Sequence, residues 1–135
     1  MLKIENMNLL TDISPEFSFL DLEYITDIRY FIEFDNIALF DERNRTNVDM
    51  TFIYDPKEAQ RFEVKIRFNR VENFEMIAGG TVIQLSGLEV VDFRDKSWEN
   101  IKFQVRGFEN RDIDFYCNNI EILEVNESQL IDKLW

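Results

Sequence analysis

Short stretches in which apolar and polar residues alternate recur along this chain at intervals of roughly 8–12 residues, with turn-forming residues between them. In the clearest stretch, residues 61–68, every second side chain is apolar and the others are charged: Phe62, Val64, Ile66 and Phe68 against Arg61, Glu63, Lys65 and Arg67. Such alternation is typical of an antiparallel strand with one buried and one solvated face. The sequence therefore predicts an all-β protein, a single-domain antiparallel β-sandwich over residues 1–135 with about 8–10 strands and at most short helical turns.

A long alternating stretch, TVIQLSGLEVVDF at 81–93, follows the Gly79–Gly80 pair and contains a further glycine, Gly87. A glycine inside a strand pattern favours a bulge or a bend. We therefore predict one central strand that bends at Gly87. We expect this strand to pair with the alternating stretches at 61–69 and 101–106 and to be the hub of the core.

The N-terminal part of the chain has less regular patterns. Ser14 and Pro15 predict a turn or the start of a helix, with Ser14 as the N-cap. Residues 16–24 are ambiguous and slightly favour a strand. Residues 27–34 alternate clearly and predict a strand.

Composition restricts the chemistry that this chain can perform. The chain has no histidine, which excludes histidine-based nucleophile pairs, imidazole bases and histidine-ligated zinc. Its one cysteine, Cys117, excludes an intrachain disulfide and fits a reducing compartment. Cys117 alternates with Ile113 and Phe115, so we interpret it as a small core residue rather than a reactive thiol. We predict no catalytic residues, no cofactor and no metal ligands, and we expect that the protein is not an enzyme.

Charge is the sequence feature that bears most on partners. The formal net charge is −12, which disfavours nucleic acid and anionic membrane surfaces and favours a basic protein. Residues 12–42 hold nine acidic residues and one basic residue, a net charge of −8. We predict a partner-binding surface there that combines carboxylates with aromatic anchors: Asp21, Glu23, Tyr24, Asp27, Tyr30, Phe31, Glu33, Asp35, Asp41 and Glu42. The alternative is that these residues only form a solvated face.

Other candidate sites are weaker. The carboxylate pairs Glu89/Asp92, Asp112/Asp114 and Glu121/Glu124 are chemically suited to a glycosidase, but sequence does not show the separation that such an enzyme needs. A calcium loop would use Asp92, Asp95 and Glu99, although the usual central glycine is missing. The only side chains suited to stacking on a sugar are Trp98, Trp135, Tyr54 and Tyr116. Sequence leaves the oligomeric state open.

The first residues, MLKIENMNLL, do not have the continuous apolar region of a signal peptide, and no apolar run approaches the roughly 20 residues of a membrane span. We therefore expect a cytoplasmic protein.

Four stretches between residues 61 and 125 share a family's pattern: GGTVIQLSGLEVVDF at 79–93, SWEN at 97–100, VRGFEN at 105–110 and IDFYCNNIEILEV at 113–125. Together they resemble a family of small immunity proteins of Gram-positive bacteria. Members of that family are found near secreted polymorphic toxins. The resemblance implies an immunity or inhibitor protein that neutralises a basic cognate toxin domain, for instance a nuclease. The alternative function is a non-catalytic β-sandwich module that binds carbohydrate or another ligand.

Overall fold

The computed structural model describes residues 4–32, 46–56, 60–77, 83–85, 87–93, 101–109 and 112–128, apart from the side chain of Glu23. These residues form nine strands, one α-helical turn and one 3-10 turn, which confirms the predicted all-β fold. The helical turn α1 spans Asn8–Thr11 and the 3-10 turn spans Phe19–Asp21. The strands are β1 Leu22–Ile32, β2 Thr46–Tyr54, β3 Phe62–Asn69, β4 Glu72–Met76, β5 Ile83–Gln84, β6 Leu88–Asp92, β7 Phe103–Gly107, β8 Ile113–Cys117 and β9 Asn119–Glu127.

The strands form two antiparallel sheets. The large sheet has the order β5-β1-β2-β3-β9, and the small sheet has the order β4-β8-β7-β6. The predicted faces of residues 61–68 are confirmed, because Val64, Ile66 and Phe68 are fully buried while the charged residues between them are partly exposed. The sheets pack face to face through aromatic side chains: the rings of Phe68 and Phe115 are 5.0 Å apart at 80°. Edge-to-face geometry of this kind is favourable beyond the area that it buries.

The alternation within β8 places Cys117 in the core between the sheets, as predicted, together with Ile113 and Phe115. All three side chains are fully buried. Burial in these apolar surroundings raises the pKa of the Cys117 thiol, because desolvation disfavours the thiolate. Cys117 therefore packs as a neutral apolar side chain.

The stretch at 81–93 is not one central strand, and this prediction is wrong. Its first half, β5, is an edge strand of the large sheet paired with β1, and its second half, β6, is an edge strand of the small sheet paired with β7. Gly87 lies where the chain passes between the sheets, with a φ of +104° that glycine adopts far more readily than other residues. The predicted pairing with 101–106 is confirmed by β6 and β7, whereas residues 61–69 pair with β2 and β9 instead.

The N-terminal segment covers the outer edge of the large sheet. Glu5 forms a parallel bridge with Glu121 of β9: its N–H donates to the Ile120 carbonyl at 3.0 Å, and its carbonyl accepts the Ile122 N–H at 3.0 Å. The Asn6 side chain adds a 3.3 Å hydrogen bond to the Ile122 carbonyl. Unpaired strand edges invite association with other chains, so this segment protects β9.

Local side-chain chemistry sets the start of β1. Ser18 accepts the Leu20 N–H while the Asp21 carboxylate accepts the Ser18 N–H, a capping box around the 3-10 turn. The slight preference for a strand over 16–24 is therefore wrong up to Asp21 and correct from Leu22. Ser14 is part of a turn, whose carbonyl accepts the Phe17 N–H, so the turn alternative is confirmed.

Candidate functional site

The outer face of the small sheet is an acidic surface that the strand register assembles from four strands. Phe103, Val105, Ile113 and Phe115 point into the core, so the residues between them point outward. The register places eight outward side chains side by side on the four strands: Glu72, Glu75, Glu89, Val91, Gln104, Arg106, Asp114 and Tyr116. We call this set the small-sheet face. It carries four carboxylates and one guanidinium, a net charge of −3.

The single cation of the small-sheet face is already bound within the sheet. Arg106 donates from Nε to Glu89 Oε1 at 2.5 Å and from an Nη to the Gln104 Oε1 at 3.5 Å. Gln104 in turn donates to Asp114 Oδ1 at 3.0 Å and is only 7% exposed. Four side chains on three strands thus form one hydrogen-bonded network that holds the centre of the face rigid.

The carboxylates at the β4 edge of this face are different. Glu72 is half-buried and Glu75 is exposed. Neither forms an ion pair with any described residue. They therefore present negative charge that no cation in the described part of the chain pairs with. A cation from another molecule is the natural complement to such groups.

Apolar side chains border the small-sheet face. Phe93 stacks on Tyr116 at 6.1 Å and 30°. Phe108 is 48% exposed, beyond the end of β7, and Ile77 is 78% exposed, directly after β4. Protein interfaces combine a few aromatic or apolar anchors with charged groups around them, and this border has that composition.

The outer face of the large sheet is charged as well, but its charges alternate in sign. Arg29, Asp49, Arg67 and Glu121 occupy one row across four strands. Asp49 and Arg67 form a two-bonded ion pair at 2.8 and 2.9 Å, with the Asp49 side chain only 3% exposed. Each acid in this row has a cation beside it, so the charges within this row compensate one another.

The described members of the predicted partner-binding set lie in three different places. The Asp21 carboxylate is engaged in the capping box. Tyr24, Asp27 and Phe31 lie on the outer face of the large sheet. Tyr30 lies on the other side of β1, 57% exposed, with its ring 5.8 Å from that of Phe74.

Phe31, one of these predicted anchors, has cationic neighbours within the protein. The Arg29 guanidinium lies 4.4 Å and that of Arg67 lies 5.3 Å from the centre of its ring. Both distances are typical of cation–π contacts. The Glu23 side chain and the predicted site residues Glu33, Asp35, Asp41 and Glu42 lie outside what the structure describes.

The structure describes parts of two weaker candidate sites, the sugar-stacking platform and the calcium loop. Tyr54 is 4% exposed and donates its hydroxyl hydrogen to Ser14 Oγ at 2.7 Å, so it is not a platform for sugar stacking. Tyr116 is half-buried beneath Phe93, while Trp98 and Trp135 lie outside the described residues. Asp95 and Glu99 of the predicted calcium loop also lie outside them, and the described residues contain no group of three potential ligand side chains that would hold a metal.

A cleft of about 440 Å³ opens between the turn after α1 and the start of β3. Apolar side chains line much of it, including Ile13, Pro15, Pro56 and Phe62. Glu16 supplies the one carboxylate among its described lining residues. A glycosidase needs two carboxyl groups across its substrate, and this part of the cleft does not supply them.

The sequence does not indicate that Glu72, Glu75 and Asp114 belong to one surface. Each stands beside an apolar residue in an alternating stretch, which shows that it points outward. The alternation does not show which strands are neighbours in the sheet. Only the register of β4, β8 and β7 brings these acids together.

No helix in the described part of the chain is long and apolar enough to cross a membrane. The chain matches no protein-family model, no curated protein and no solved structure.

Proposed function

We propose that this protein is an immunity or inhibitor protein that binds a basic cognate toxin domain, such as a nuclease, through the small-sheet face. The observation that carries the proposal is the net charge of −3 on that face, where the only cation is bound by Glu89 and Gln104. The formal net charge of −12 on the whole chain acts in the same direction. The proposed role is non-catalytic binding in the cytoplasm of the cell that the protein protects.

The charges explain how such a protein would work quickly. Complementary charge raises the rate of diffusional encounter, and a few desolvated anchors supply most of the affinity. Glu72 and Glu75 would attract lysine and arginine side chains of the toxin. Ile77, directly after β4, and Phe108, after the end of β7, are exposed and would provide the apolar contacts.

The resemblance of residues 61–125 to immunity proteins is consistent with this location. Much of the small-sheet face, including Glu89, Arg106 and Asp114, lies within the resembling stretches. The sequence-based alternative places the partner surface in residues 12–42, where Asp27 is exposed on the outer face of the large sheet. Charge reversal on β4 and charge reversal at Asp27 distinguish the small-sheet face from the outer face of the large sheet.

The test uses the toxin domain encoded beside the gene for this protein. We expect the two purified proteins to form a complex and co-expression to abolish the toxicity of that domain. The double variant Glu72→Lys/Glu75→Lys should lower the association rate by about tenfold at low ionic strength and reduce its dependence on salt.

Glu124→Lys/Glu127→Lys is the matched control, because both residues are exposed on β9 and the change in net charge is the same. It should lower the association rate much less. Equal effects of the two double variants would show that only overall charge matters, and an effect confined to Asp27→Lys would move the surface to the large sheet. A gene neighbourhood without a toxin, or a toxin that the protein does not bind, would refute the proposed function.

A further inference from the structure

The β4 strand has one edge that no described strand covers. β4 pairs with β8 alone, through Glu72, Glu75 and Met76. Such an edge exposes backbone N–H and C=O groups that can pair with a strand from another molecule. β4 also carries Glu72 and Glu75 of the small-sheet face, which form no ion pair within the described ranges.

The direction of the free backbone groups follows from one hydrogen bond. The Ile77 N–H donates to the Asp112 carbonyl at 2.8 Å, so the backbone of Ile77 faces β8. In an antiparallel pair, alternate residues direct their backbone groups to the same neighbour. Glu75 therefore also faces β8, whereas Phe74 and Met76 direct their N–H and C=O groups to the open edge.

The side chains of β4 alternate in the same way. Phe74 and Met76 pack against the core, and the Phe74 ring lies 5.3 Å from that of Phe115. Glu75 and Ile77 point to the outer face and are exposed. Tyr30 is exposed next to Phe74, which extends the apolar side of the edge toward β1.

An added strand would meet two kinds of neighbour along this edge. Its residues opposite Phe74 and Met76 would exchange backbone hydrogen bonds and turn their side chains toward the core. The residue opposite Glu75 would form a pair without hydrogen bonds, in which side chains approach most closely. The complement is thus a strand in which apolar residues alternate with lysine or arginine.

Resting on the proposed function, we propose that the toxin domain is recognised partly by strand addition to β4, through an extended segment in which basic and apolar residues alternate. A second copy of this chain is a poor occupant, because full overlap would set Glu75 opposite Glu75, and like charges directly opposite are destabilising.

Asn73 has a φ of +54° at a register shift, so regular pairing is limited to Phe74–Ile77. The added strand is short, and its basic side chains supply the selectivity.

The test titrates a short peptide of alternating lysine and valine into isotope-labelled wild-type protein and follows the backbone amide signals by NMR. Two versions of the peptide carry N-methyl groups, one on every valine and one on every lysine, so composition and charge are the same. In the proposed pairing the valine N–H groups bond to β4 and the lysine N–H groups point away. We expect the N-methyl-lysine peptide to bind like the parent and to shift the signals of Phe74–Ile77, and the N-methyl-valine peptide to bind at least about tenfold more weakly.

Equal binding by the two methylated peptides, or signal changes away from β4, would overturn strand addition. Glu75→Lys should weaken binding of the parent peptide by about tenfold, while Glu124→Lys, an exposed position on β9, should change it far less. The toxin assay fails or succeeds independently of these peptides. Neutralisation without peptide discrimination would leave the proposed function standing and remove the strand-addition mode. Peptide discrimination without neutralisation would refute the proposed function and, with it, the toxin as the occupant, leaving only the ability of β4 to accept a basic strand.

Discussion

Replacing Gly87 with alanine tests the point at which the chain passes from the large sheet to the small one. Gly87 has a φ of +104°, and a Cβ atom built on it would lie 2.7 Å from the backbone oxygen of Leu20. That oxygen belongs to the 3-10 turn before β1, so a small side-chain movement does not relieve the contact. The Gly87 carbonyl also accepts the Phe108 N–H at 3.0 Å, which ties the same peptide to the end of β7.

Two costs add for Gly87→Ala. A non-glycine residue held in an unfavourable backbone region costs about 1–3 kcal/mol. Moving the Leu20 backbone away from the new methyl group adds a cost of similar size, so the expected loss is about 3 kcal/mol out of a typical 5–15 kcal/mol. For a chain of 135 residues this corresponds to a lowering of Tm by about 10 °C.

Urea denaturation followed by far-ultraviolet circular dichroism measures this loss, with the m-value expected to stay unchanged. Thr26→Ala is the control, because Thr26 is exposed on β1 and its hydroxyl makes only a 3.5 Å contact with the Thr51 carbonyl. The control should lie within about 0.5 kcal/mol of wild type. A loss below about 1 kcal/mol for Gly87→Ala would refute the argument from backbone conformation and close approach.

Three further predictions concern stability. Arg70 has a φ of +54° and is exposed. Arg70→Gly should therefore raise the free energy of unfolding by about 0.5 kcal/mol, the opposite sign to Gly87→Ala. A clear loss of stability in the same urea assay would contradict this. Arg67→Met leaves the Asp49 carboxylate buried without its ion pair and should lower the free energy of unfolding by about 3 kcal/mol. Asp49→Leu/Arg67→Met should recover most of that loss. A double variant as unstable as the sum of the single variants would disprove the coupling. Because burial raises the pKa of Cys117, the native thiol stays protonated while the unfolded thiol ionises above about pH 8.5. Stability should then fall with rising pH, by about 2 kcal/mol more between pH 8 and pH 10 in wild type than in Cys117→Ala; equal slopes in urea denaturation would contradict it.

Where alternation is regular, it was enough to predict a strand and its buried face. Residues 61–68 show this directly, since the side chains that alternate as apolar are the ones that the core buries. The sandwich follows because two sheets with one apolar face each must cover one another.

The neighbour of each strand could not be predicted in the same way. Residues 61–69 and 81–93 have compatible patterns, yet they pair with different strands, since alternation describes a face and not a partner. A positive φ at Gly87 ends one edge strand before the next begins, and sequence alone does not distinguish that from a bend within one strand. The small-sheet face was missed for the same reason, because its acids come from strands as distant along the chain as β4 and β8.

The hydrogen bonds between the N-terminal segment and β9 have a consequence for how the protein is made. Glu5 and Asn6 lie between β9 and solvent, and the Asn6–Ile122 bond joins residues 116 positions apart. β3 likewise acquires its second neighbouring strand only when β9 has formed. While the chain is being synthesised, the large sheet therefore lacks its last strand until residues 119–127 have left the ribosome, and closure of so long a loop is slow. The acidic chain must stay unassociated during that interval, and its own negative charge helps to keep nascent copies apart.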